Sequence, residues 1–220
     1  MSTQKEIFLQ NEGNMWFRRN IETLNSTEDF IDINVLSKYL INEMNILEVG
    51  CSNGHKLNYL REKNSENNIN LYGIDPSEKS INHGKEAFND IELKVGTADQ
   101  LGYSDIFFDI IIVGFCMYLV DRNLLYKSIA EIDRVLKPNG ILVITDFDPP
   151  YPICQKYHHN EHILSYKNSY YNFFTAGNHY SVIEKIQYTH KKSTYSTMVN
   201  DRVGTTILLK ESIETIYRYL

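Results

Sequence analysis

The chain has 220 residues, 42% of them hydrophobic and 23% charged, a balance too apolar for a disordered polypeptide and suited to one α/β domain. Its 22 basic and 28 acidic residues leave a net charge of −6, which argues against a broadly basic nucleic-acid binder and leaves room only for a local basic patch. No apolar run approaches the ~18 residues of a membrane span or forms a secretory signal, and three scattered cysteines (Cys51, Cys116, Cys154) read as reduced thiols of a cytoplasmic protein.

Residues 28–42 carry Phe30, Ile31, Ile33, Val35, Leu36 and Leu40 at mostly helical spacing, with Ser26 or Thr27 as the N-cap. Asn45–Gly50 reads as a short buried strand, Cys51–Gly54 as a turn, and the following stretch as a helix with Leu57 and Leu60 on its apolar face. A second strand, Ile69–Ile74, ends at Asp75-Pro76, and the helix Ser77–Phe88 takes Pro76 in its first turn, where a missing N–H costs nothing. Ile91–Val95 and Phe108–Val113 are the third and fourth strands, the latter apolar enough to be covered on both faces. Leu125, Ile129, Ile132 and Leu136 make Leu124–Leu136 amphipathic; Lys137-Pro138-Asn139-Gly140 stops that helix, and Ile141–Phe147 is the fifth strand. Strands separated by helices give a doubly wound, mostly parallel α/β sheet. After the stiff connection 148–152 the pattern changes. His158–Gly177 has no period, Val182–Tyr188 and Val203–Leu209 form an antiparallel pair at the sheet edge, and the last ten residues resemble a short helix.

The turn after the first strand is where ligand chemistry concentrates. Glycines there let backbone approach a ligand, and the next helix offers its positive end. A nicotinamide GxGxxG starting at Gly50 would need glycine at Ser52 and His55 and has neither. Aligned as acidic-x-Gly-x-Gly-x-Gly, the segment gives Glu48, Gly50, Ser52 and Gly54, three of four matched. Asp75 stands 21 positions after Gly54, at the end of the second strand, where a carboxylate can accept both hydroxyls of a ribose.

At this point the sequence resembles the class I S-adenosylmethionine-dependent methyltransferases. ILEVGCSNG is similar to their first motif, LYGIDPS to the second, KVGTADQL to the adenine loop, FFDIIIV to the fourth strand, and IAEIDRVLKPNGILVITDF to the closing helix, turn and strand. The resemblance implies a Rossmann-like methyltransferase fold over residues 1–220: a helical N-terminal segment (1–42), a cofactor core (43–147), an acceptor lid (148–180) and C-terminal strands with a helix (181–220). It implies S-adenosylmethionine as cofactor and S-adenosylhomocysteine as product. Gly50, Cys51 and Gly54 would pack on the methionine portion and Glu48 would face its ammonium. Asp75 would hold the ribose, Pro76 would cover the adenine, Ala98 would meet its edge, and Phe115 would border methionine and acceptor. Thr97 stands where an acidic side chain is common, so recognition of the adenine amine passes to Asp99 or loosens.

Residues 11–20, with Trp16 and Arg19, resemble a segment of methylases from bacterial surface-polysaccharide and modified-sugar pathways. There Arg19 would pair with the cofactor carboxylate and Trp16 would line the site. The resemblance implies a small-molecule acceptor, above all a sugar or nucleotide-sugar hydroxyl, with N-methyl transfer to a small metabolite or non-catalytic cofactor binding as the alternatives; the charge balance and the apolar runs argue against nucleic acid and membrane as partners. A poor hydroxyl nucleophile gains from a base; His158, His159, His162 and Asp146 are the candidates, with Asp148 as a rival. His158 and His162 would share a face if helical, but no helical pattern and no HExxH order support a metal, so none is expected. Tyr166 and Lys167 are candidates for an anionic acceptor, and surface or packing roles remain open for all of these.

Overall fold

The computed structural model describes residues 2–24, 30–190 and 196–216. The chain opens with α1 (Gln4–Ile7), a π-helical turn over Phe8–Glu12, and α2 (Gly13–Leu24). Then α3 (Ile31–Leu36) leads into the alternating core: β1 (Asn45–Val49), α4 (His55–Lys63), β2 (Asn70–Asp75), α5 (Glu78–Ala87), β3 (Ile91–Val95), β4 (Phe108–Gly114), α6 (Leu125–Val135) and β5 (Leu136–Phe147). Beyond it come a hairpin of β6 (Ile153–Lys156) and β7 (Leu164–Lys167), then α7 (Asn172–Thr175), β8 (Tyr180–Thr189), β9 (Arg202–Lys210) and α8 (Ile213–Ile216).

Seven strands form one sheet in the order β3-β2-β1-β4-β5-β9-β8. Its first five are parallel; β9 adds antiparallel to β5, and β8 antiparallel to β9. Side chains alternate across the pleat. On β1 and β4, Leu47, Val49, Ile111 and Val113 join one core with α6, while Ile46, Ile110 and Ile112 join the other with α3 and α4. The chain leaves β1 in one direction and reaches β4 in the other, so a crevice opens beyond the carboxyl ends of these strands.

Several local readings change. The expected helix over 28–42 is shorter: α3 is followed by one 3-10 turn at Ser37–Tyr39, and its proposed caps Ser26 and Thr27 lie outside the described residues. Pro76 precedes α5 rather than opening it, because Ser77 takes the N-cap and its hydroxyl accepts from the Ser80 N–H at 3.1 Å. The Lys137–Gly140 stop is a bulge within β5. Leu136 pairs with Phe108 and Ile141 with Ile110, while Asn139 takes φ +62° between them. The β6–β7 hairpin falls partly in the stretch where no period was legible.

Candidate active site

The crevice is a cleft of about 620 Å³ walled by the β1–α4 turn, the ends of β2, β4 and β5, the N-terminal helices and the β6–β7 hairpin. Gly50 and Gly54 both adopt positive φ (+80° and +79°), and a Cβ on Gly50 would meet the Cys116 Cβ at 2.9 Å. Ser52, between them, is itself left-handed at φ +51°, an uncommon state for a residue with a Cβ. Its backbone N–H donates to Asp75 Oδ2 at 2.9 Å, so the turn is tied to the end of β2.

Beneath the turn lies a buried ionic triad. Lys56 Nζ sits 2.8 Å from Glu48 Oε1 and 3.0 Å from Asp32 Oδ2. Burial alone would lower the Lys56 pKa, but the two carboxylates beside it outweigh that and hold it above its ordinary value. Burial raises Glu48, and Lys56 opposes the shift. Two anions share one cation, and Glu48 Oε2 is buried with no hydrogen-bond partner among the described residues. A buried carboxylate oxygen without a donor is costly and suits a cationic ligand group.

Asp75 is half-buried at the cleft wall. Oδ1 accepts from the Ser77 N–H at 2.8 Å and Oδ2 from Ser52, and burial pushes the carboxyl up to about 6. Further along, Asp99 accepts from Thr97 Oγ1 at 2.8 Å and from Lys5 Nζ at 2.8 Å. Burial would raise Asp99, yet these bonds hold it below the usual carboxylate range. Lys5, on α1, escaped the sequence reading because its partner is 94 positions away.

The cover of the cleft is also long-range. Gln4 donates to the carbonyls of Leu119 (3.0 Å) and Leu164 (3.2 Å), and its Oε1 accepts from the Leu164 N–H at 2.8 Å. Glu12 is buried, pairs with Arg19 at 2.5 Å and accepts from Asn160 Nδ2 at 3.3 Å. Asn14 Oδ1 accepts from Ser77 Oγ at 2.8 Å and from the Lys79 N–H at 3.0 Å. The π-helical turn lies between α1, which these bonds pin to the hairpin, and α2, which they pin to α5; such bulges are frequent at functional sites.

The stretch of wall that begins at Phe115 is aromatic. Phe115, at φ +47° and 36% exposed, packs its ring 5.7 Å from Phe147 and 5.6 Å from His190. Tyr118 meets Phe147 at 5.0 Å, and the Lys167 ammonium stands 3.8 Å over the Phe147 ring. Phe147 and His190 went unremarked in the sequence; only the fold brings the ends of β5 and β8 beside Phe115.

Of the residues singled out in the sequence, Trp16, Glu48, Gly50, Cys51, Asp75, Pro76, Thr97, Ala98, Asp99, Phe115, His158 and His159 line the cleft, whereas Arg19, Gly54, Asp146 and His162 do not. Arg19 pairs with Glu12. Gly54 serves the turn itself, where a Cβ would crowd Leu93 Cδ2 at 3.1 Å. Asp146 faces a separate small pocket with Tyr170 and Tyr171, accepting from the N–H groups of Tyr118 and Phe147, and burial pushes it up to about 7. Asp148 is held below its ordinary value by Lys185, Ser169 and Gln187 against the opposing effect of burial, which leaves it a structural anion. His158, His159 and His162 occupy the hairpin tip, not a helix, and among the described residues no group of three potential ligands is placed to hold a metal. Nor is any described helix long and apolar enough to cross a membrane.

A parallel five-stranded core extended by an antiparallel pair, with an acidic-and-glycine turn facing a carboxylate on the next strand, defines the Rossmann-like methyltransferase fold. The methyltransferase domain family matches residues 40–205, and the chain belongs to that family, a class that uses S-adenosylmethionine. It is 32% identical over 117 residues to the ubiquinone/menaquinone biosynthesis C-methyltransferase of Campylobacter jejuni, covering 51% of this chain and 48% of that protein. It is 25% identical over 150 residues to a tRNA N(3)-methylcytidine methyltransferase of Schizosaccharomyces pombe, covering 64% and 48%. The chain thus spans about half the length of these curated relatives. Among solved structures, the 1,6-didemethyltoxoflavin-N1-methyltransferase of Burkholderia thailandensis, with 1,6-didemethyltoxoflavin and S-adenosylhomocysteine bound, superimposes with a TM-score of 0.72 at 12% identity, covering 96% of this chain and 92% of that one.

Proposed function

We propose that this chain catalyses methyl transfer from S-adenosylmethionine to a small polar acceptor, a hydroxyl of a sugar, nucleotide-sugar or related cell-surface precursor. The observation that carries the methyl-transfer reading is the pairing, in one cleft, of the unpartnered Glu48 Oε2 with the half-buried Asp75 carboxylate across the glycine turn. The cofactor, when bound, supplies a methyl group already activated by a sulfonium. Glu48 would take its ammonium, the Gly50 turn would leave room for its amino-acid arm, Asp75 would accept from its ribose, and the loop at Thr97–Asp99 would border its base.

The protein's own task is alignment and exclusion of water. Phe115 and Trp16 offer ring faces on which the apolar face of a sugar can rest, and the N-terminal helices and hairpin cover the mouth. His158 and His159 stand at that mouth; burial holds the His159 pKa below its ordinary value, which leaves its ring free to accept the hydroxyl proton at neutral pH. Transfer forms the oxygen–carbon bond as the carbon–sulfur bond breaks, and the acceptor proton leaves to the base.

A second reading is transfer to a ring nitrogen or carbon of a flat acceptor. The Phe115–Phe147–His190 cluster favours it, as do the quinone-pathway and toxoflavin-pathway names of the similar proteins. The tRNA methyltransferase among the relatives also means that net charge alone does not remove nucleic acid from the candidates. Mass spectrometry of nucleotide-sugars, phenols and tRNA incubated with protein and cofactor tests these readings. A methyl gain on a nucleotide-sugar, lost in His159→Ala with S-adenosylhomocysteine affinity retained, supports the first. Gain on phenol or tRNA alone overturns it.

A further inference from the structure

Lys167 ends β7 and lies 7% exposed at the cleft wall. Among the described residues it makes one hydrogen bond, from Nζ to the Asn200 carbonyl at 2.7 Å, and no ion pair. Its ammonium lies 3.8 Å over the Phe147 ring, a contact that tolerates a cation without neutralising it. An ammonium has three donors, so at least one is left over, and a buried cation lacking an anion is costly.

The surroundings of Lys167 differ from those of the buried carboxylates of the cleft. There, Asp32, Glu48 and Asp99 are already ion-paired with Lys56 and Lys5. Around the aromatic cluster and the hairpin the cleft is lined instead by Lys156, Lys167, His158, His159 and His190. Asp121, a carboxylate that also lines the cleft near the hairpin, is taken up by the backbone N–H groups of Gln4 and Lys5. Burial pulls the Lys167 pKa below its ordinary value, and Asp201 and Asp146 recover only part of the shift.

We infer that the acceptor carries an oxyanion, a carboxylate or a phosphate, bound by the Lys167 ammonium while the acceptor body lies on Phe115. The inference rests on the reading of this cleft as a methyl-transfer site and adds the acceptor's charge. Both sources of the anion share the chemistry of an oxygen carrying negative charge, and Lys167 has the free donor for it. Phe147 sets the height of the ammonium and Phe115 offers the exposed face beside it.

Calorimetry on the whole chain tests this in two stages. S-adenosylhomocysteine is titrated first; absence of binding sinks the methyl-transfer reading itself. The loaded protein is then titrated with benzoate and glucose 1-phosphate, each against a neutral counterpart, benzamide and methyl glucoside. At least one anion should bind about tenfold or more tightly than its counterpart. Binding of benzoate alone identifies a carboxylate, and of glucose 1-phosphate alone a phosphate. Lys167→Met should erase the preference and leave S-adenosylhomocysteine affinity intact, while Lys167→Arg should keep it. Cofactor binding with equal affinity for charged and neutral probes, or with no probe bound at all, overturns the inference, as does a preference that survives in Lys167→Met.

Discussion

Asp75→Asn is the most informative single change, because it moves binding and stability in different directions. The wild-type carboxyl sits at about 6, above its ordinary 3.8, so folding favours its protonated form. For an acid raised in this way the sign is the reverse of a salt-bridged aspartate. The fold bears a penalty above pH 6, and the penalty fades as pH falls from about 6 towards 4. Two pKa units correspond to about 3 kcal/mol at neutral pH. Asparagine removes that charge but leaves one of the Ser52 and Ser77 N–H groups facing an amide NH2, at a cost of about 1–3 kcal/mol. The unliganded variant should therefore melt no lower than the wild type at pH 7, and its advantage should vanish near pH 4. Binding goes the other way: losing charge-assisted bonds to the ribose removes about 1.5–3 kcal/mol, or roughly ten- to hundredfold in S-adenosylhomocysteine affinity. Wild-type affinity should also decline below about pH 6, up to tenfold per unit, and the variant should lack that decline. Calorimetry across pH with parallel thermal melts reads all of this. An affinity within twofold of wild type, or an unaltered pH profile, would refute the placement of the ribose at Asp75.

Gly50→Ala adds a Cβ 2.9 Å from that of Cys116 at a backbone angle costing about 1–2 kcal/mol on its own, so it should lower the melting temperature and abolish S-adenosylhomocysteine binding together. Lys56→Met strands Asp32 and Glu48 without their shared cation, a loss of about 3–5 kcal/mol in urea melts at about pH 8. One stranded carboxylate can take up a proton on folding, so the loss should be smaller at about pH 5; equal losses would count against a charge origin. Gln4→Ala removes the bonds between α1, the β6–β7 hairpin and Leu119. Amide exchange should quicken over residues 3–24 and β7 while β1 and β4 keep their protection, and unchanged exchange at the N-terminus would show that the cover is held elsewhere.

The central sheet was legible because its signals are local. A strand closed by Gly50, another closed by Asp75, and a helix with Leu125 and Ile132 on one stripe each declare themselves within a dozen residues. The carboxylate-and-glycine wall of the cleft was legible for the same reason, since Glu48, Gly50 and Asp75 sit at the ends of those strands. What was hidden depends on partners far along the chain. Lys5 reaches Asp99, Gln4 reaches Leu164, and Lys56 gathers Asp32 and Glu48. The partner of Arg19 was hidden as well, since an arginine beside a tryptophan says nothing of its own anion, and the fold pairs it with Glu12, seven positions earlier. Asp146 misled through strand parity, for neighbours Thr145 and Phe147 face the cleft and the residue between them must face away.

Among the described residues the last strand of the sheet, β8, pairs with β9 alone, and its ladder carries one residue too many between Val182 and Glu184. That misfit spoils the even comb of amides and carbonyls that a free margin would otherwise present to a passing polypeptide. Val182 and Ile183 are exposed beside the bulge, and the charges that follow are already engaged, Glu184 with Lys38 and Tyr39 and Lys185 with Asp148. A bulge at such a rim works against strand-to-strand addition there, because an added strand would find the spacing of donors and acceptors broken.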